Sequence, residues 1–257
     1  MNDFMGLQEK NVLITGAGQG IGKAAAELLY ALGANLTLVD LNVEQLHAVA
    51  ASLDPQRVLV QAGSVTDRAF VAGAVQTSSR HFGGVHGLLN NAGIIRTAMI
   101  DTMTLEQWQA VIDVNLTGVF NCLQAVGQDM KRRAEGGEQA AGAIVNVSSD
   151  AGRKGTVGQI NYGAAKAGVL GITMSAAREW ARFGIRVNSV AFGVVETEMT
   201  EVLRGPKFRE RSLNNIPMGR FPSPEEVVKP IAFLLSSASS FVTGQHLSVN
   251  GGSHITA

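Results

Sequence analysis

Tyr162 and Lys166 offer the chain's most direct acid–base chemistry. Four residues apart, on a helix they share one face, one turn from each other. A free phenol has a pKa near ~10 and is a poor proton donor or acceptor at neutral pH. An ammonium beside it favours the phenolate, and bringing the phenol to neutrality takes roughly 4 kcal/mol of differential stabilisation. One cation in a partly dry pocket supplies much of that. The stretch that holds the pair, SDAGRKGTVGQINYGAAK, opens on a serine, Ser149. Taken alone, the spacing, which chance supplies often, is better read as a half-buried tyrosine beside a solvated lysine.

A second constellation lies near the start. In TGAGQGIG, the glycines at 16, 20 and 22 permit a tight turn, close approach of amides to a pyrophosphate, and packing of a helix on a sheet. The loop opens the first strand–helix unit, and Asp40 ends the second strand, where a carboxylate can accept hydrogen bonds from an adenosine ribose. A 2'-phosphate would meet that negative charge. Neither Gln19 nor Leu41 supplies a compensating arginine, so NAD(H) is favoured over NADP(H). The plainer alternative is that Asp40 only caps the turn that follows it.

Elements able to position these residues follow from the hydrophobic pattern. Short β-branched runs at 11–15, 35–40, 57–63, 85–93, 143–149 and 185–193, with HLSVNGG near the end, read as strands. Helical stretches alternate with them, including a long one over 104–133, in one or two pieces, and another over 161–183. Thr104 and Gln107 have the spacing of a capping box, and Gly33 closes the first helix. Such alternation implies one α/β domain over 1–257: a Rossmann-like, doubly wound parallel sheet of seven strands with helices on both faces. Residues 134–142 read as a loop. The charged, irregular stretch 195–221 is long enough to form a substrate lid.

Composition narrows the classes. The 257 residues are 46% hydrophobic and 16% charged, which suits a large core and excludes a disordered chain. With a net charge of zero, no basic excess points to nucleic acid or a membrane surface. The N-terminal stretch has no basic start followed by an apolar run, and no segment reaches ~18 uninterrupted apolar residues, so a soluble cytoplasmic protein is expected. The single Cys122 reads as a buried structural thiol, and the five histidines lack metal-ligand spacing, so no metal is expected.

Together these motifs resemble the short-chain dehydrogenase/reductase family, nearly end to end. TGAGQGIG resembles its cofactor loop, Asn90-Asn91-Ala92-Gly93 its fourth-strand motif, Asn115 its helix asparagine, and Ser149, Tyr162 and Lys166 its catalytic group. Ser149 is preferred to Ser148 by its spacing of thirteen positions from Tyr162, and Ser148 is expected to finish the strand.

The resemblance implies that Ser149 bonds the substrate oxygen while Tyr162 exchanges its proton. Lys166 would hold the nicotinamide ribose and lower the tyrosine pKa, and Asn115 would anchor a water through which protons reach solvent, a role that an asparagine side chain bonded to backbone would not contradict. Cofactor contacts are implied for Gly16, Gln19, Gly20, Ile21, Gly22, Asp40, Leu41, Ser64, Val65, Asn91, Ala92, Gly93, Tyr162 and Lys166, and for Gly193, Val195 and Thr197 around the carboxamide. Two positions depart from the family pattern. Phe192 replaces a usual proline, and Ser64 a frequent aspartate that bonds adenine.

Within the family, Arg96, the IPMGR segment at 216–220 and TGQHLSVNGG most resemble 3-oxoacyl-acyl-carrier-protein reductases. Those reductases typically use NADPH, through an arginine at the position of Gln19 and without an acid at that of Asp40, so the cofactor and substrate signals disagree. The basic run Lys131, Arg132, Arg133, with Arg178, is a candidate docking patch for an acidic carrier protein, or else a solvated helix end. The expected substrate is a secondary alcohol or ketone, or an acyl thioester. Alternatives are an NADP(H)-dependent carrier-protein reductase and a non-catalytic protein that senses dinucleotide. Enoyl reduction is disfavoured, because that branch usually spaces its tyrosine and lysine more widely. A homotetramer is implied by analogy.

Overall fold

In a computed structural model that describes residues 4–255, the apolar runs become the strands of one sheet. The strands are β1 (Asn11–Thr15), β2 (Asn35–Asp40), β3 (Val58–Ala62), β4 (Gly87–Asn90), β5 (Gly142–Ser149), β6 (Ile185–Phe192) and β7 (His246–Val249). Their order is β3-β2-β1-β4-β5-β6-β7, and every neighbouring pair is parallel. The main helices are α1 (Gly20–Ala31), α2 (Val43–Ala50), α3 (Arg68–Phe82), α4 (Leu105–Ile112), α5 (Gly118–Glu135), α6 (Ala151–Lys154), α7 (Ile160–Trp180), α8 (Glu201–Arg204), α9 (Arg209–Asn214) and α10 (Pro224–Leu235).

Successive strand side chains alternate between faces, so β1 sends Val12 and Ile14 one way and Leu13 the other. Val12 and Ile14 join α1, α2 and α10 through residues such as Leu29, Leu46 and Ile231. Leu13 joins α3, α5 and α7 through Val75, Val126 and Ala177. Cys122 belongs to that second layer, and burial pushes its thiol up to about 12, which leaves it inert at neutral pH. The span Leu105–Glu135 is apolar enough by composition to cross a membrane, yet half of its most apolar window is packed inside the protein. It is a helix pair that covers the sheet.

Local signals set several boundaries. The expected capping box forms: Gln107 N donates to Thr104 Oγ1 at 3.2 Å and Thr104 N to Gln107 Oε1 at 3.0 Å. Asp67 caps α3, and Gly83 stops that helix in the left-handed region at φ 78°. The helical stretch 104–133 splits at a π turn over Asp113–Thr117, which places Asn115 at the break. β4 is shorter than the expected 85–93. Its flanking amides bond to side chains outside the ladder, Val85 N to Asp129 Oδ2 at 3.1 Å and Asn91 N to Thr15 Oγ1 at 3.0 Å. Residues 195–221 are not irregular throughout, since they contain a 3-10 turn and the short helices α8 and α9.

At the opposite end of the sheet from the glycine loop, His86 joins β1 to β4. Its Nδ1 accepts from Asn11 N at 3.2 Å, and its own amide donates to Asn11 O at 2.8 Å. Burial, then the nearby Arg133, lowers its pKa from 6.5 to about 4. The unfolded chain therefore binds a proton on this ring at a higher pH than the folded one does. His86 stabilises the fold fully above pH 6.5, and that contribution is lost as pH falls toward 4. The urea midpoint should drop between pH 7 and pH 4.5 by clearly less in His86→Gln than in the parent. Parallel pH dependence in the two proteins would refute this role.

Candidate active site

A cavity of about 550 Å³ lies along the carboxyl ends of the central strands. Its walls include Gly16, Gln19, Gly20 and Ile21 at one end, and Ser149, Tyr162 and Lys166 further along. The glycine loop has steric reasons for its composition. A Cβ on Gly22 would stand 1.9 Å from the Gly16 carbonyl oxygen, and one on Gly16 2.9 Å from Ala92 Cα. α1 begins at Gly20, earlier than the pattern suggests, with Gln19 as an N-cap whose side chain makes no capping bond. No acidic side chain occupies the first turn. Amides at a helix start without a side-chain cap fit a pyrophosphate.

Asn91 holds loop and sheet together, its Nδ2 donating to Thr15 O at 3.1 Å and to Gly16 O at 3.0 Å. Ala92 N donates to Thr15 Oγ1 at 3.1 Å. Asp40 lines the cavity while accepting from Gly18 N at 3.0 Å and Asn42 N at 3.1 Å. Its carboxylate thus serves the turn, as the plainer sequence reading has it, while lining the cavity. Leu41, 69% exposed, and the buried Val65 complete this end. Ser64 lines the cavity too, but its hydroxyl is engaged with Thr66, 2.8 Å from Thr66 Oγ1.

Gly193, Val195 and Thr197 are all in the cavity wall, on the loop after β6. A Cβ on Gly20 would meet Thr197 Cγ2 at 3.3 Å, so this loop touches the glycine loop across the site. Phe192 ends β6 with its carbonyl accepting from Asp150 N at 3.0 Å.

The catalytic group is assembled by burial. Lys166 is 2% exposed, and its Nζ donates to Val147 O at 2.7 Å. Ser148 donates to Lys166 O at 2.8 Å and so ties β5 to α7, which leaves Ser149 to face Tyr162. Tyr162 keeps part of its surface open. Burial raises the phenol pKa, and the hydrogen bond with Ser149 offsets part of that rise. Lys166 is lowered by burial from 10.5 to about 8, and its Nζ lies 5.7 Å from the centre of the tyrosine ring. The expected lowering of the phenol by the ammonium is therefore not what this arrangement gives. Desolvation outweighs it, and the resting phenol is protonated at neutral pH.

Asn115 is fully buried and bonds backbone, holding residue Ile94 from both sides, with Oδ1 accepting from Ile94 N and Nδ2 donating to Ile94 O, both at 2.8 Å. Ile94 and Gly93 do line the cavity. The motif reading missed Asn161, whose Nδ2 donates to Arg96 O at 2.9 Å and Gln107 O at 3.0 Å at the start of the helix that carries Tyr162. It also did not name the wall residues Lys154 in α6, Gln159 before α7, Leu203 in α8 and Ser253 after β7. The adjacency of Asn161 and Gln159 to Tyr162, and the place of Leu203 within 195–221, are the signals that could have flagged some of them.

The basic run is reassigned. Arg133 is internal, donating to Val85 O at 2.5 Å and Ala141 O at 2.8 Å and pairing with Asp129 and Glu138. Arg132 pairs with Asp129, and Lys131 with Glu135 at 3.6 Å. A docking patch cannot use Arg133, whose charge stabilises the end of α5.

Two outcomes test the catalytic group. Tyr162→Phe should lower turnover by at least ~100-fold with dinucleotide affinity unchanged, the usual scale for a lost general acid; near-normal turnover would refute its role. For Lys166, the unfolded chain carries the charge up to pH 10.5 and the folded chain only up to about 8. Stability therefore rises between those values, and below the lower one the buried charge costs about 3 kcal/mol. In urea titrations, Lys166→Met should outlast the parent at pH 7, an advantage that fades toward pH 10.5.

Comparisons with known proteins agree with the motifs. A family profile described as Enoyl-(Acyl carrier protein) reductase matches residues 16–254. The chain is 45% identical to a 3-oxoacyl-acyl-carrier-protein reductase of Thermotoga maritima, over 96% of this chain and 99% of the relative. It is 40% identical to an acetoacetyl-CoA reductase of Synechocystis, over 97% and 98% of the two chains. The crystal structure of levodione reductase superposes with a TM-score of 0.90 at 34% identity, covering 96% of this chain and 98% of that one. On a likeness this extensive, carried from the glycine loop to the last strand, the chain belongs to the short-chain dehydrogenase/reductase family of oxidoreductases.

Proposed function

We propose that this chain is an NAD(H)-dependent reductase of ketones to secondary alcohols, with 3-oxoacyl thioesters as its preferred substrate class. The observation that carries this reading is the Tyr162 phenol beside the Ser149 hydroxyl and above the buried Lys166, in one cavity with a carboxylate suited to a ribose. The dinucleotide, when bound, supplies the hydride to the carbonyl carbon. Tyr162 donates its proton to the carbonyl oxygen, and Ser149 donates a hydrogen bond to the same oxygen as negative charge builds on it. Lys166 remains mostly cationic below its lowered pKa of about 8. It holds the ribose hydroxyls and stabilises the phenolate that Tyr162 becomes. Oxidation of an alcohol runs the same proton path backwards.

One domain, residues 1–257, carries both halves of the cavity, with 195–221 as its substrate loop. Asp40 supports NAD(H): among the described residues of the cavity wall the cations are Lys154 and Lys166, and neither belongs to the loops around Asp40. A 2'-phosphate there would face a carboxylate without a counter-charge. The thioester class is supported by the relatives, named for 3-oxoacyl and acetoacetyl thioesters, which leaves coenzyme A and a carrier protein as acyl carriers. A homotetramer in the cytoplasm completes the reading. Exposed Phe120 and Met174 on α5 and α7, and Phe233 and Leu247 on α10 and β7, supply apolar surface for two interfaces.

The test is a kinetic panel that pairs NADH and NADPH with 3-oxoacyl thioesters and cyclic ketones. Expected are a higher kcat/KM with NADH, a narrowing of that preference in Asp40→Ser, and thioesters as the better substrates. A clear preference for NADPH would overturn the reading of Asp40. Tight NADH binding without turnover of any carbonyl would favour a dinucleotide sensor instead.

A further inference from the structure

Asp150 directly follows Ser149 and is only 5% exposed, a costly place for a carboxylate unless its oxygens are used. Its partners come from the far end of the chain. Asn250 Nδ2 donates to Oδ1 at 2.8 Å, and Ser253 Oγ donates to Oδ2. Lys154 Nζ stands 3.5 Å from Oδ2 and donates to Ser253 O at 3.0 Å. Two side chains from the loop after β5 thus grip the turn that follows β7.

That turn is closed upon itself, with Gly252 N donating to Asn250 Oδ1 at 3.1 Å and Ser253 N to Asn250 O at 3.2 Å. Its other side bears on the base of the 195–221 loop. Met218 N donates to Gly251 O at 3.1 Å. Gly251 and Gly252 have φ of 64° and 87°, and a Cβ on them would stand 2.8 Å from Ile216 Cγ2 and 3.0 Å from Pro217 Cγ. No side chain fits between the two segments, so they move together or separate. Asp150, Lys154, Ile216 and Ser253 all face the cavity.

We propose that the turn Asn250–Ser253 mechanically couples the loop of the catalytic serine to the substrate loop, and that Asp150 is the positioning residue that holds it. Asp150 touches neither substrate nor cofactor in this role. It fixes the wall against which the substrate loop rests, and its effect falls on substrate binding with dinucleotide binding spared. The kinetic part rests on the proposed carbonyl reaction; the mechanical part does not.

Hydrogen–deuterium exchange on the full chain tests the coupling, comparing the parent with Asp150→Asn, and with Ser253→Ala in its place should Asp150→Asn fail to fold. Expected is at least tenfold faster exchange in both 216–219 and 250–254, with α7 and β1 at parental rates. The KM for the carbonyl substrate should rise at least fivefold while the NADH dissociation constant stays within twofold. Faster exchange confined to 250–254, or spread evenly over the chain, would overturn the inference, as would an unchanged KM in an active variant. A parent protein that turns over no carbonyl counts against the proposed reaction, and the exchange data then decide the coupling alone.

Discussion

The parting of β1 and β4 is the constraint on which the rest of the site depends. The two strands are neighbours in the sheet, yet the chain leaves β1 for α1 on one face, while the α5 segment beyond β4 packs on the other. Their carboxyl ends must diverge, and a crevice opens where open parallel sheets bind ligands. Asn91 fixes the width of that crevice by donating twice to Thr15, from its backbone amide to Oγ1 and from its side-chain Nδ2 to the carbonyl oxygen. With the crevice held, Gly16 and Gly22 can be nothing larger, and α1 directs its unsatisfied amides at the opening.

Around the crevice, several buried polar side chains are bonded to backbone. Asn115 spends its amide on Ile94, Asn161 on the loop and helix next to Tyr162, and Ser148 on the backbone of Lys166. These bonds leave few side chains free to face the cavity, and among those that do are Ser149 and Tyr162. Lys166 is the exception to cheap burial, a cation with a single carbonyl partner whose pKa falls as a result. Stability is given up there for a charge placed beside a phenol.

The far wall is built differently, from loops. The segment after β6, the turn after β7 and the loop after β5 meet only through tertiary contacts, and the bonds of Asp150 join two of them. The other end of the cavity is set by strand ends, the glycine loop and the start of α1.

Local patterns in the sequence determined the strands, the helices, the capping box of α4 and the glycine loop, because each depends on neighbours within a few residues. The resemblance carried by the motifs named Ser149, Tyr162 and Lys166 as the candidate catalytic group, and the structure puts two of them on one helix and the third at the end of the adjoining strand. Tertiary structure alone decided the rest. It shortened β4 by giving an edge amide to Thr15, took Arg133 out of any docking patch, and bonded the Asn115 side chain to the backbone of Ile94. It also reversed the expected direction of the Tyr162 shift, because helical spacing reports that an ammonium is near a phenol but not how much water both have lost. Desolvation is a property of everything packed around a group, and the chain writes that only when folded.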